Sequence, residues 1–235
     1  MNRHHREILS IIKDASVTPT QHTFSDAYLG NTNPRYAVDA PTLRKIAKEW
    51  MAEYRELPVE EFTALLDSLI KGKSSTEKFV AGMLMDCARP AQQTFDPKIF
   101  DQWLEHLSGW AEVDVVCTGK YTIKAIGLQP DKWSRLLKKF STSKNLSKRR
   151  ASLAFLCLPI RYHKSDVLLE TAFDNIDRLK HEKEILITKA ISWLLRSMVT
   201  LYKKEVKEYV QENKTTLPSI AVRETLRKLE TGKKT

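Results

Sequence analysis

Glycine and proline are scarce in this chain, at seven and nine among 235 residues. Sandwiches, barrels and glycine-rich nucleotide folds turn tightly and often, so the composition argues against all three. Cysteine is scarcer still. Cys87, Cys117 and Cys157 are odd in number, far apart and form no Cys-x-x-Cys pair. Neither a disulfide framework nor a zinc ribbon follows, and reduced, buried thiols in a cytoplasmic protein are expected. The longest apolar run, Leu153 to Ile160, is far too short to span a bilayer. No apolar stretch follows Met1-Asn-Arg-His-His-Arg, so no secretory signal and no membrane partner are expected. His4-His5 has no further ligand at metal spacing and reads as a solvated terminus, while Glu60-Glu61 reads as the first turn of a helix. No phosphate-binding loop and no Ser/His/Asp signature appears, so no metal and no cofactor are expected.

What the chain does have is helical periodicity. Hydrophobic residues make up 42% and charged residues 29%, which excludes global disorder and supports a packed core. Apolar residues recur at three- and four-residue spacing in Ile8/Ile11/Ile12, Leu43/Ile46/Ala47/Trp50 and Phe62/Leu65/Leu66/Leu69. The pattern continues through Leu136/Leu137/Phe140 and Ile187/Ile191/Leu194, and no segment alternates with period two. Start signals precede these runs at Pro58, Ser74-Ser-Thr-Glu77, Asp96-Pro97, Pro130-Asp131 and Ser165-Asp166. About a dozen helices joined by short turns are expected. The fold class is all-α, an α-α superhelix of degenerate HEAT-like repeats, with a compact bundle as the alternative. The stretch Tyr28 to Pro41 is rich in turn residues and reads as a loop inside a single domain spanning 1–235.

The surplus charge is local. From Lys120 to Lys164 there are twelve basic residues and one acid, Asp131, a balance of +11. The whole chain carries +10, so the remainder is −1. Tyr121, Trp133 and Phe140 are interleaved with these cations, and the combination favours a nucleic-acid partner. Within it, Lys148-Arg149-Arg150 sits at the start of an expected helix that is apolar all round from Ala151 to Leu156. Cations are disfavoured at a helix N-terminus, and a bound phosphate would reverse that argument. The block therefore reads as a buried helix with one exposed basic end.

Two helical faces carry chemistry. Read as one helix at about 100° per residue, Gly109 to Ile126 places Val115, Val116, Ile123 and Ile126 on a core face. Trp110, Asp114, Cys117, Tyr121 and Lys124 fall opposite, so a carboxylate stands between two aromatics. An Asp there must be partnered or wet. In Ile187 to Met198 the apolar stripe excludes Trp193, which lies beside Lys189 and Arg196. Either a contact tryptophan or a half-buried one under snorkelling cations fits that pattern.

Trp110-x-x-x-Asp114, Asn145-Leu-x-x-x-Arg150-Ala and Lys189-Ala-Ile-x-Trp193-x-Leu-Arg196 resemble, in order and spacing, the AlkD-type DNA alkylation repair glycosylases. The resemblance takes in the Tyr28 to Pro41 stretch and covers nearly the whole chain. It implies a HEAT-like solenoid with a basic concave face for duplex DNA. It also implies monofunctional excision of cationic N3- and N7-alkylated purines by a monomer, without flipping the lesion into a deep pocket. Carried over, Trp110 and Trp193 lie against the deoxyribose and backbone of the damaged nucleotide, and Asp114 stands near the anomeric carbon. Arg150 holds the backbone, with Tyr28, Tyr121, Lys124, Lys148, Arg149, Lys189 and Arg196 as further DNA-contact candidates. This chain departs from the family at Gly109, where a tryptophan is frequent, at Ala111, where an acid is, and at Ser147, where an aromatic is. The family also holds members that bind DNA, including branched forms, without excising bases. A repeat scaffold with no chemistry is a third reading, but it needs neither the Asp between aromatics nor the basic block.

Overall fold

The computed structural model describes residues 1–16, 24–94 and 96–233. Among them are fourteen α-helices, three short 3-10 turns and no strand. The chain divides into two compact units, Met1–Tyr121 and Thr122–Thr235.

The first unit holds α1 (Arg3–Ala15), α2 (Asp26–Leu29), α3 (Ala40–Glu53), α4 (Val59–Ile70), α5 (Ser75–Cys87), α6 (Ile99–Trp103) and α7 (Gly109–Cys117). Helix α5 is central, packed by α3, α4 and α7, and α1 covers α3 and α4. The Tyr28–Pro41 stretch is not a boundary: α2, the loop after it and α3 all belong to this unit. Ser74 caps α5 in a capping box with Glu77, as the Ser-x-x-Glu spacing predicts. A Cβ at Gly82 would collide with the Val115 carbonyl, so the backbones of α5 and α7 approach closely there.

Helix α8 (Tyr121–Leu128) begins at the last residue of the first unit. The second unit continues with α9 (Pro130–Ser141), α10 (Leu146–Cys157), α11 (Asp166–Leu179), α12 (Ile185–Met198), α13 (Lys203–Glu212) and α14 (Ser219–Thr231). Its helices pack two apart as well as in sequence. Helix α9 lies on α11, whose Phe173 stacks on Tyr209 of α13 at 4.3 Å, while α10 lies on α12 and α12 on α14. That pairing is the signature of stacked helical hairpins. Helix α10 is buried from Ala151 to Cys157, which its all-round apolar sequence predicts.

Several expectations are corrected. Gly109 to Ile126 is two helices, because α7 ends at Cys117 and α8 begins at Tyr121. The break turns Cys117 and Tyr121 inward, and the Tyr121 hydroxyl donates to the Val116 carbonyl at 2.5 Å. Burial pushes the Tyr121 phenol well above its ordinary pKa. Trp133 and Phe140 are also core residues, with Trp133 tilted against Phe155 at 5.0 Å. None of the three interleaved aromatics is a stacking surface. Cys117 and Cys157 are buried as expected, but Cys87 is exposed at the end of α5.

His4 and His5 are not a solvated terminus. His4 packs edge-on against Trp50 and Tyr54 at 5.4 and 4.8 Å. His5 is 1% exposed, with Nδ1 2.8 Å from the Ser68 hydroxyl and Nε2 2.8 Å from Glu77 Oε1. Burial alone would raise the Glu77 pKa, but hydrogen bonds from His5 and Ser74 outweigh it and hold the carboxyl below its ordinary value. A depressed carboxylate contributes stability that is present above its unfolded pKa and lost as pH falls through the folded one. Melting temperature should therefore drop below about pH 4.3 in the wild type. Glu77→Gln should be less stable at pH 7 and show a flatter acid limb; thermal melts from pH 7 to pH 3 check this.

Candidate functional site

Helix α7 brings Trp110 and Asp114 together one turn apart, both half-buried. They line an open cleft of about 790 Å³ in the first unit, shared with Phe24, Arg35, Arg44 and Asp86. The Trp110 indole N–H donates to the Tyr28 carbonyl at 2.8 Å. Its ring meets Tyr28 edge-on at 5.8 Å and Phe24 at 6.2 Å. Phe24 and Tyr28 are themselves 5.1 Å apart and about half exposed, so three rings form a corner at the rim of the cleft. Arg35 steadies that corner, donating to the Phe24 carbonyl at 2.8 Å and pairing with Asp26. Asp86 accepts the Lys120 backbone N–H and so ties the turn that follows α7.

The departure at Gly109 has a conformational reason. Gly109 and Gly30 both adopt positive φ, 66° and 68°. A Cβ on Gly109 would overlap the Leu29 carbonyl oxygen. No L side chain fits there without strain, so a tryptophan at 109 is incompatible with this approach of α2 to α7. The N–H of Ser108, at the start of α7, is accepted instead by Glu112 at 2.7 Å.

Sequence reasoning missed Phe24 and Glu112. Phe24 directly precedes the α2 N-cap Ser25, where an apolar residue often fixes the entry of the chain, and that signal could have found it. Glu112 is one residue out of register for a capping box, which hid it.

In the second unit the α12 reading holds in its local geometry. Ile187, Ala190, Ile191, Leu194, Leu195 and Met198 are fully buried, Trp193 is half-buried and Lys189 is exposed. Arg196 is turned inward, bound to Glu224 at 3.2 Å and to the Ser192 carbonyl at 3.1 Å. The basic start of α10 is not an exposed end. Arg150 is 5% exposed and donates to the Leu186 carbonyl at 2.5 Å, and Lys148 is also buried. Arg149 donates to the Ser143 and Lys144 carbonyls at 3.0 and 2.9 Å and pairs with Glu182 at 2.8 Å. Here guanidinium groups tie α10 to its preceding loop and to the first turn of α12. Lys138 is likewise matched, by Glu170 and Asp174 of α11 at 3.0 and 2.8 Å. Lys124, Arg135, Lys139, Lys144, Arg161 and Lys164 remain on the surface.

Among the described residues no group of three or more His, Cys, Asp or Glu could hold a metal ion. None of the described helices is long and apolar enough to cross a membrane.

The chain belongs to the DNA alkylation repair enzyme family, whose model matches residues 14–229. It also resembles in fold a protein described as a predicted DNA alkylation repair enzyme from Enterococcus faecalis. That likeness has a TM-score of 0.70 at 20% identity and covers 88% of this chain and 93% of the other. No curated protein matches it.

The buried Arg150 yields a prediction opposite to that for a phosphate contact. Arg150→Ala strands the Leu186 carbonyl and should cost about 1–3 kcal/mol of stability. The salt dependence of DNA binding should stay that of the wild type. Chemical denaturation and a salt titration on duplex DNA check both halves.

Proposed function

We propose that this protein is a DNA glycosylase that hydrolyses the N-glycosidic bond of cationic N3- and N7-alkylated purines in duplex DNA. The observation that carries this reading is the pairing of Asp114 with Trp110 in one open cleft of a chain from the DNA alkylation repair family. An alkylated purine already bears a positive charge, so it departs as a neutral base without a general acid. The barrier lies in the oxocarbenium-like sugar left behind. A half-buried carboxylate stabilises that cation better than a fully hydrated one and can orient the attacking water. The electron-rich face of Trp110 adds to this attraction. The cleft is open and its aromatic corner is exposed, which suits a nucleotide approached at the surface of the duplex. Tyr28 lies at the rim beside Trp110, and Trp193, half-buried on α12, is a further candidate for contact with DNA.

Asp114→Asn is nearly isosteric and removes only the charge. Single-turnover release of 7-methylguanine from duplex DNA should fall about 10²-fold or more. Affinity for undamaged duplex should hold or rise slightly, since a negative charge near phosphates is gone. Equal rates for the two proteins would remove Asp114 from the chemistry. Binding without release above the spontaneous background would make this a DNA-binding member of the family.

The electrostatic part of binding is carried by surface lysines of the second unit and not by the α10 triad. Lys124→Ala should weaken duplex binding and lower the slope of log affinity against log salt by about one unit. Affinities measured at three or more salt concentrations test this, and an unchanged slope would take Lys124 off the DNA path.

A further inference from the structure

Glu112 sits between Trp110 and Asp114 in sequence and is fully buried. Its Oε2 accepts the Ser108 backbone N–H at 2.7 Å. Its Oε1 accepts the Ser75 hydroxyl at 2.5 Å and an Asn33 amide N–H at 3.1 Å. These donors come from three places: the start of α7, the first residue of α5, and the loop after α2. The same loop is fastened at further points. The Thr32 N–H and hydroxyl donate to the Ser108 hydroxyl at 3.2 and 3.1 Å. The Ser75 N–H donates to the Pro34 carbonyl at 2.9 Å, and the Tyr36 N–H to the Thr76 hydroxyl at 2.9 Å. The loop begins at Gly30, directly after α2, and α2 carries the Tyr28 carbonyl that holds the Trp110 indole. One carboxylate therefore joins the start of α7, the first residue of α5 and the loop that follows α2, the helix holding the Trp110 indole. A buried carboxylate needs such a full set of donors; two of those of Glu112 come from α5 and the start of α7, helices that line the cleft.

We propose that Glu112 is a positioning residue: it clamps the 31–36 loop onto α5 and α7 and thereby sets the orientation of Trp110 and Asp114. It does not touch the reacting atoms. Its effect on base release rests on the glycosylase reading above, whereas its effect on Trp110 does not.

The test uses Glu112→Gln, which keeps the shape but replaces one acceptor oxygen with a donor facing other donors. Hydrogen exchange of the Trp110 indole N–H, assigned by comparison with Trp110→Phe, reports the clamp directly. It should exchange about tenfold faster or more in the variant. The Trp103 indole, which donates to Asp67 at 3.2 Å away from the clamp, should be unchanged. Single-turnover release of 7-methylguanine should fall about tenfold or more, with affinity for undamaged duplex within about twofold, as expected when a group is misplaced and not lost. Ser75→Ala removes a single donor; it should move both readouts the same way by less, and serves where the Gln variant does not fold. Unchanged Trp110 exchange overturns the proposal. Equal acceleration at the Trp103 indole also overturns it, since that is general loosening. Absence of base release in the wild type sinks the glycosylase reading, and the indole exchange then decides the positioning role alone.

Discussion

Three charged groups removed from water at the start of α5 govern the first unit. Glu77, Lys78 and Glu112 are all buried there. Each would cost several kcal/mol if left unmatched, so each must recruit partners. Glu77 takes His5 of α1 and the Ser74 cap. Glu112 takes the loop after α2 and the start of α7. Lys78 donates to the Gly72 carbonyl at 2.6 Å; burial draws its pKa down while the Glu112 and Glu77 carboxylates oppose that shift. These partners lie far apart in sequence and on different elements. Satisfying the cluster therefore fixes where α1, the loop and α7 sit around α5, a specification that apolar packing alone would leave looser.

The same logic redistributes the basic surplus of the second unit. Twelve cations against one acid between Lys120 and Lys164 suggest a uniformly positive surface. The fold breaks that block into two populations. Arg149, Arg150 and Lys138 face inward or toward α11 and α12, where carbonyls and the carboxylates of Glu170, Asp174 and Glu182 meet them. Those acids lie outside the block in sequence, so local charge counting could not see them. Lys120, Lys124, Arg135, Lys139, Lys144, Arg161 and Lys164 stay exposed, and a polyanion would meet that smaller set.

Much of the fold was legible because the information was local. Ser74 and Ser165 cap α5 and α11 as their spacing predicts, and the stripe of α12 is buried residue for residue. The pairing of Trp110 with Asp114 was legible for the same reason, being an i, i+4 relation within one helix. What failed was non-local. The break between Cys117 and Tyr121 carries no proline, and its glycine, Gly119, sits in a Thr-Gly-Lys turn that periodicity bridges without penalty. His5 looks like a terminal histidine until Glu77, seventy-two residues on, is placed beside it. Phe24 meets Trp110 only once α2 is packed on α7, and the partners of Glu112, Asn33 and Ser75, lie far from it in sequence.

Two of the positive-φ glycines, Gly30 and Gly109, show how these constraints converge on the cleft. Gly30 ends α2 and Gly109 opens α7, and only their missing side chains let the two backbones meet. That contact places the Tyr28 carbonyl within reach of the Trp110 indole and brings the loop down to Glu112. The indole is thus held by its N–H at one edge, in the cleft that it shares with the half-buried Asp114. If a cation develops beside it, as the proposed reaction requires, a ring fixed in this way has little orientational entropy left to lose. On the proposed glycosylase reading, the leaving base arrives already charged, so a fixed aromatic ring and one half-buried carboxylate are the two features the chemistry asks for, and a closed pocket is not among them.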